Sequence, residues 1–417
     1  MRASAEAESG WGWISDAPSD IVTRVNFEWS DEEKAFRTEV QSFLREQYSP
    51  EVMDPTREGM AQLVDTPERR GFMNKMAERG YIGMSWPKEY GGAEQPGVYE
   101  YLLNEELAAV GAPLIGKGVG IVGKTIIRHG NERLKAEFLP KILGAEIEFA
   151  IGYTEPDAGS DLASLKTRAT RVEGGWKIKG QKRFTTSAHF ADWYWLAART
   201  DPDAPKHKGI TLFLIPMDAE GITIQPMETL GDNEITNEVF LDDVFVPDDY
   251  VVGEVNKGWY YVSEALDFER FTLFTIAAYV RKWEAARDWF RTAMRDGKPM
   301  RDDPVVRQKV ARLATQVQVA KGLCMRVITT AAAGGVPNIE SAMFKLWTTT
   351  IGQRIADELL TLAGPEGALR KGAHGAPVDG RFEHIYRYSV VDTVGAGTSE
   401  VQRNIIARRG LGLPVQN

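Results

Sequence analysis

The sequence is poor in the two residue types that most often hold metal ions or link chain segments covalently. Cys324 is the only cysteine among 417 residues, so an intramolecular disulfide and a zinc site made of several thiolates are both excluded. The five histidines show no paired spacing of the kind that binds zinc. No metal site is predicted, and Cys324 is expected to be a small buried residue.

Long apolar runs and an excess of positive charge are also missing. No segment approaches the length of a membrane span, and the first residues lack the apolar core of a secretory signal. The formal net charge of −9 gives no reason to expect binding to nucleic acid or to an anionic membrane surface. We therefore expect a cytoplasmic protein with no nucleic-acid partner and no membrane span.

Hydrophobic residues make up 43% of the chain, enough for a large core and more than one domain. Residues 1–20 are expected to form a flexible tail. Helical spacing dominates residues 21–149, runs of strand length dominate residues 150–250, and amphipathic stretches return over residues 251–417. A doubly wound fold would alternate strands and helices throughout, so this order predicts an α+β fold with a β domain between two helical ones.

A glycine-rich segment, Gly116–Gly123, looks like a dinucleotide-binding fingerprint at first sight. Its glycine spacing differs from the G-x-G-x-x-G pattern, and no strand is predicted before it. We interpret the segment as a site of close helix packing.

Two distant segments carry the strongest functional signal. The first, residues 153–161 with the sequence YTEPDAGSD, places turn-forming residues, hydroxyls and a glycine between apolar segments, as a site for a planar, phosphate-bearing cofactor requires. The second, Val394–Asn404, opens a helix with the same hydroxyl, amide and glycine chemistry. Together with residues 129–146, 180–188 and 241–254, they resemble the acyl-CoA dehydrogenase family over nearly the whole chain.

This resemblance implies a middle antiparallel β domain, a C-terminal four-helix bundle and FAD as cofactor. It also implies an acyl-CoA substrate and an electron-transferring flavoprotein as partner. By the same resemblance, Tyr153, Thr154, Gly159 and Ser160 border the flavin. Thr154 offers its hydroxyl to the ring edge, and Ser160 contacts the flavin phosphates or the thioester arm of the substrate.

Four further residues match family positions on the other sides of the cofactor. Phe184 and Thr186 are expected to cover the opposite side of the flavin, although the family usually has Trp where this chain has Phe184. Thr398 and Glu400 match positions that touch the adenosine part. Glu400 replaces the more frequent Gln, and its negative charge would repel a phosphate.

The catalytic base is expected on a helix rather than in the C-terminal motif. Many family members place a glutamate directly before the Gly-Thr pair, where this chain has Ala396. Isovaleryl-CoA dehydrogenase instead carries the base in an Asp-Leu-Glu-Arg segment, which resembles Leu266–Phe271 here. Glu269 is thus the predicted base, and Arg270 matches an arginine that supports the active site. The alternative is that Glu269 is a surface residue of a charged helix.

Assembly and substrate are left open by the sequence. Residues 291–299 lack the Phe of an Arg-x-x-Phe-Gly segment with which many relatives reach a neighbour's flavin. In this respect the chain resembles bacterial members of the family that act on steroid side chains. Some of those members form tetramers of two different chains. A homotetramer, a dimer and a heterotetramer all remain open, as does a flavin oxidase or monooxygenase reaction. The small Ala396 favours a branched or bulky acyl group.

Overall fold

Helices build the first third of the chain. The computed structural model describes residues 28–58, 63–231, 235–272, 275–332 and 337–414, without the side chains of residues 267–272 and 332, so the predicted N-terminal tail lies outside the described residues. The first helices are α1 (Asp31–Glu46), α2 (Pro67–Glu78), α3 (Val98–Val110), α4 (Lys124–His129) and α5 (Glu132–Leu143). Ser30 begins α1 with a capping box, because its hydroxyl accepts from the Glu33 N–H while the Glu33 carboxylate accepts from the Ser30 N–H.

The glycine-rich segment packs as the sequence analysis predicted. Residues Gly118–Gly123 form a π-helical turn that runs directly into α4, and most of this turn is buried. A Cβ at Gly123 would lie 2.1 Å from the Trp86 ring, so only glycine allows this contact. The Trp86 indole N–H in turn donates to the Val119 carbonyl at 3.3 Å. Close packing therefore explains the glycine at position 123.

A single sheet of eight strands forms the middle of the chain. Its strands are β1 (Phe149–Gly152), β2 (Arg168–Val172), β3 (Gly175–Thr186), β4 (Trp193–Arg199), β5 (Ile210–Pro216), β6 (Ile222–Pro226), β7 (Thr236–Pro247) and β8 (Val251–Val252). The order is β6-β7-β3-β2-β4-β5-β8, and β1 pairs with β4. Most pairs are antiparallel, but β1 and β2 run parallel to β4. The β3–β7 pairing shifts register between Lys182 and Thr185.

Helices return in the last third. They are α6 (Gly258–Thr272), α7 (Ala277–Thr292), α8 (Pro304–Ala332), α9 (Asn338–Ala363), α10 (Arg381–Asp392) and α11 (Ser399–Ile405). Helix α7 is followed by a small hairpin of β9 (Met294–Arg295) and β10 (Lys298–Pro299). Helices α7 to α10 pack together around a second apolar core, which contains Cys324 as expected.

The predicted fold class is confirmed: helices flank a mainly antiparallel sheet on both sides along the chain. One apolar core joins α1–α6 to one face of the sheet, so the β strands and the N-terminal helices share their packing. Within the described ranges, no helix is both long and apolar enough to cross a membrane.

Candidate active site

A cavity of about 440 Å³ lies where the sheet meets the π-helical turn, α6 and the segment before α11. Its walls combine apolar side chains with hydroxyls and three cationic side chains. The lining residues are Lys117, Ile121, Ile151, Tyr153, Thr154, Gly159, Ser160, Leu162, Arg183, Phe184, Thr186, Trp259, Ser263, Leu266, Ala396, Gly397, Val401, Ile405 and Arg409. Six of the eight predicted flavin contacts are therefore brought to one cavity.

The loop after β1 is held by a buried ion pair. Glu155 accepts hydrogen bonds from the Lys182 ammonium at 2.8 Å and from the backbone N–H groups of Lys166 and Thr167 at 2.6 and 2.9 Å. Burial acts to raise the pKa of Glu155, but Lys182 and these donors outweigh it and hold that pKa below its usual range. Burial lowers the pKa of Lys182 to about 8, against the opposing charge of Glu155. These hydrogen bonds therefore fix the conformation of the loop.

Tyr153 is the buried end of the same loop. Its hydroxyl accepts from the Trp195 indole N–H at 2.8 Å, and its carbonyl accepts from the Lys182 ammonium at 3.1 Å. Gly159 and Ser160, at the other end, are exposed. A Cβ at Gly159 would meet no protein atom within 4 Å, although the residue lines the cavity. A side chain there would occupy cavity space, as expected where a ligand approaches the backbone closely.

Phe184 presents its ring at the register shift of β3. Its backbone has a φ of +54°, which is strained for an L-residue, and its side chain is 58% exposed. The Arg183 guanidinium lies 5.3 Å from the ring centre. An exposed aromatic ring on strained backbone at a cavity wall is typical of a ligand contact. Thr186, two residues on, is buried, and its hydroxyl lies 3.4 Å from that of Thr236.

Helix α6 forms the wall that should carry the base. Trp259, Ser263 and Leu266 line the cavity at helical spacing, so one face of α6 borders it. Glu269 and Arg270 follow in the last turn of the same helix, but their side chains lie outside the described residues. Their predicted roles remain predictions.

The segment before α11 lines the cavity with the backbone of Ala396 and Gly397. Ala396 and Gly397 both have positive φ, at +52° and +87°, and both line the cavity. Gln402 donates to their carbonyls at 3.4 and 3.2 Å, and the buried Lys345 donates to the Gly397 carbonyl at 2.5 Å. These donors fix a turn in which position 396 carries only a methyl group.

Thr398 and Glu400 are the two predicted contacts that the structure places elsewhere. Thr398 caps α11, because its hydroxyl accepts from the Val401 N–H at 3.3 Å. Glu400 is exposed and lies 3.4 Å from Arg403. Neither is among the described residues that line the cavity. Their contact with the adenosine part of a flavin stays a prediction.

Sequence reasoning missed several lining residues, above all Lys117. The glycine-rich segment was interpreted only as packing, yet Lys117 lies at its start and reaches the cavity. A single cation within an apolar, glycine-rich stretch was the available signal. Arg183 and Arg409 were also missed, since surface arginines are too common to stand out. Trp259 lines the cavity from α6, whereas Tyr101 lies in the core with its hydroxyl 3.0 Å from the Cys324 sulfur.

Comparison with known proteins identifies the family. Family models described as the N-terminal, middle and C-terminal domains of acyl-CoA dehydrogenase match residues 30–146, 150–244 and 256–411. Acyl-CoA dehydrogenase FadE26 of Mycobacterium tuberculosis is 31% identical over 401 residues, covering 94% of this chain and 100% of the relative. The chain belongs to the acyl-CoA dehydrogenase family. Mitochondrial isovaleryl-CoA dehydrogenase of Solanum tuberosum, another acyl-CoA dehydrogenase, is 28% identical over 91% of this chain and 90% of its own length.

Solved structures of acyl-CoA dehydrogenases superpose over the same length. One titled Tcur3481-Tcur3483 steroid ACAD has a TM-score of 0.84 and 33% identity, covering 94% of this chain and 100% of its own. The ChsE4-ChsE5 complex from Mycobacterium tuberculosis has a TM-score of 0.83 and 31% identity, with the same coverage. Acyl-CoA dehydrogenases are FAD-dependent oxidoreductases, and the predicted enzyme class is confirmed.

The cavity suits the flavin that acyl-CoA dehydrogenases use. Open space at Gly159, the exposed Phe184 ring, and the hydroxyls of Thr154 and Ser160 offer a flat surface with polar edges. In the described part of the chain, no group of three or more His, Cys, Asp or Glu residues could hold a metal ion.

Proposed function

We propose that this acyl-CoA dehydrogenase converts an acyl-CoA thioester to its 2,3-enoyl product with Glu269 as general base. One observation carries the proposal: the cavity that brings together Tyr153, Thr154 and Phe184 is also lined by α6 and by Ala396. At Ala396 the chain has no carboxylate. The helix facing the same cavity supplies Glu269 one turn after the lining residue Leu266.

The chemical step divides between the chain and its cofactor. The Glu269 carboxylate removes a proton from the carbon beside the thioester carbonyl, and a backbone N–H near the base polarises that carbonyl. FAD, when bound, supplies the acceptor for the hydride that leaves the next carbon. Tyr153, Thr154, Gly159 and Phe184 would hold the ring in place. The electrons then pass to an electron-transferring flavoprotein.

The acyl group is proposed to be branched or bulky. Ala396 takes little space where many relatives carry a glutamate, and the neighbouring walls are apolar, with Ile121, Leu266 and Ile405. Two of the similar solved structures carry titles that name a steroid enzyme or a complex of two chains. We therefore test a CoA ester with a polycyclic acyl group as substrate, and co-expression with a second, different subunit.

The base is tested with Glu269→Gln and a matched control, Glu264→Gln. Glu264 lies in the same helix but pairs with Arg128 and His129 at 2.5 and 2.7 Å. We expect E269Q to keep its bound FAD and to lose flavin bleaching by substrate at least a hundredfold, because general-base catalysis contributes about 10²–10⁴. E264Q should bleach within threefold of the wild type. Bleaching by E269Q near the wild-type rate would reject Glu269.

The overall reaction is tested by the visible spectrum of the chain purified alone, before and after anaerobic addition of straight, branched and polycyclic acyl-CoA esters. Bleaching by the bulkier esters supports the proposal. Bleaching only by straight chains contradicts the proposed acyl group. A colourless chain that becomes yellow on co-expression with a second subunit establishes the heteromer, and rapid reoxidation by air indicates an oxidase.

A further inference from the structure

Lys117 connects the π-helical turn to two strand ends that border the cavity. Its ammonium donates to the carbonyl of Phe149 at 3.2 Å, to the carbonyl of Thr186 at 3.1 Å and to the hydroxyl of Ser187 at 2.7 Å. Phe149 begins β1 and Thr186 ends β3. The Lys117 side chain therefore links the π-helical turn to the start of β1 and the end of β3 at the cavity wall.

The same contacts bring a positive charge to that wall. These three acceptors are neutral oxygens, so none of these hydrogen bonds neutralises the ammonium. One acid close to it is Glu148, whose pKa burial raises to about 7 against the charges of Lys117 and Arg70. Arg70 in turn lies 3.2 Å from Asp192, whose carboxylate also accepts from the Glu148 N–H at 2.7 Å. Lys117 thus belongs to a charged group that surrounds the start of β1.

The position matters because Thr186 is a predicted flavin contact, and the inference rests in this respect on the proposed function. Lys117 lines the cavity and bonds directly to the Thr186 carbonyl. Hydride arrival adds negative charge to a flavin. A fixed cation close to the ring stabilises that charge, and such charges are among the groups through which proteins adjust flavin electronics.

We propose that Lys117 is a positioning residue that fixes the start of β1 and the end of β3 and would raise the reduction potential of a flavin held in the cavity. The charge makes hydride acceptance more favourable without Lys117 touching the reacting carbon atoms. Glu148 opposes it, so the two side chains together set the potential.

The test replaces Lys117 with methionine, which keeps length but removes charge, and measures the midpoint potential of bound FAD by dye-coupled reduction. We expect K117M to shift the equilibrium towards oxidised flavin by at least tenfold, or about 30 mV for two electrons. The control is Lys124→Met, seven residues on, where the ammonium pairs with Glu100 at 3.2 Å. K124M should stay within twofold of the wild type, and a K117M potential equally close to the wild type would overturn the proposal.

A second variant decides the case if K117M does not retain FAD. Glu148→Gln removes the opposing negative charge, so at pH 8 the equilibrium should move at least threefold towards reduced flavin; no shift would overturn the proposal. Dye reduction needs no substrate. If no acyl-CoA ester bleaches the wild type, the proposed function fails while the comparison of potentials still decides the role of Lys117.

Discussion

At the scale of single residues, the cavity wall depends on one residue with a strained backbone and on one buried ion pair. Phe184 combines a positive φ with an exposed ring, and Lys182 and Glu155 form an ion pair that is almost fully buried. Both features cost free energy in the folded state. A ligand contact gives a physical reason for the Phe184 ring, whereas the ion pair holds the loop that carries Thr154 and Gly159. Each feature can be tested separately.

Replacing Phe184 with leucine should weaken FAD binding while leaving the apoprotein about as stable. Leucine keeps the backbone strain and most of the apolar surface but loses the ring, and an aromatic contact is worth about 0.5–1.5 kcal/mol. We expect a roughly tenfold rise in the FAD Kd, measured by flavin fluorescence. Tyr48→Leu removes another exposed ring, on a side chain 67% exposed outside the cavity lining, and should leave the Kd unchanged.

Neutralising Glu155 should destabilise the protein strongly. E155Q leaves Lys182 buried without its charged partner, at a cost of about 3 kcal/mol in urea unfolding. E155Q combined with Lys182→Met removes both charges and should recover most of the loss. Asp157→Asn in the same loop breaks an exposed pair with Lys166 and should cost less than about 0.5 kcal/mol.

The E155Q penalty should also depend on pH. The pKa of Glu155 lies below its usual range in the folded state, so its contribution to stability is present above the unfolded pKa. It is lost as the pH falls through the lower, folded pKa. The gap between E155Q and the wild type should therefore close in acid. A constant gap from pH 7 down to pH 3 would show that the charge of Glu155 is not the cause.

At the scale of secondary-structure elements, the junction between α6 and α7 is held from α3. The carboxylate of Glu105 accepts from the Ile276 N–H at 3.1 Å and from the Ala277 N–H at 3.4 Å. Helix α7 has no side-chain cap of its own at Ile276, so Glu105 satisfies its first donors. This anchor follows directly after the helix that carries Glu269.

Glu105 should make stability fall between about pH 4.5 and 7. Burial raises its pKa from 4.5 to about 7, although the backbone donors and Tyr101 oppose the shift. Because the folded pKa is the higher one, the folded state binds more protons in this window and loses stability as the pH rises through it. We expect the unfolding free energy of the wild type, relative to E105Q, to drop by about 3 kcal/mol from pH 4.5 to pH 8. Parallel profiles for the two proteins would contradict this.

At the scale of the whole molecule, a net charge of −9 contrasts with two lysines beside the candidate active site. Lys208 and Lys257 line a second cavity of about 490 Å³, where Lys257 pairs with Glu254 at 2.8 Å, and Trp259 borders both cavities. The nucleotide end of a CoA ester carries several negative charges. A basic surface next to the acyl site offers a place for it.

Reversing the charge of Lys208 should raise KM for acyl-CoA about tenfold with little change in kcat, because the contact is remote from the reacting carbons. Added salt should raise the wild-type KM and have less effect on K208E. Lys34→Glu changes the net charge equally on a distant helix, where Lys34 lies 3.4 Å from Asp31, and serves as the control. Equal KM values for K208E and K34E would show that only net charge matters.

Short-range signals in the sequence determined much of the architecture. The Ser30 capping box and the apolar spacing of α3 depend on residues within one or two turns, so α1 and α3 were predictable from the sequence. The motif of residues 153–161 and the absence of a carboxylate at Ala396 were equally visible, because they depend on residue identity alone. Strands β1 and β2 and helix α10 give weaker signals, since they are short or weakly patterned and form through their neighbours.

Tertiary structure decided which of the candidate residues meet. It brought Thr154 and Phe184 to one cavity, used the Thr398 hydroxyl as a helix cap, and added Lys117 from a segment read only as packing. No local pattern contains this information, because Lys117 bonds to Thr186 across 69 positions of sequence. Side-chain chemistry follows from composition, whereas proximity follows from how the sheet and helices pack. The sequence by itself therefore determined the family and its chemistry, and folding determined the cavity's residues and charge.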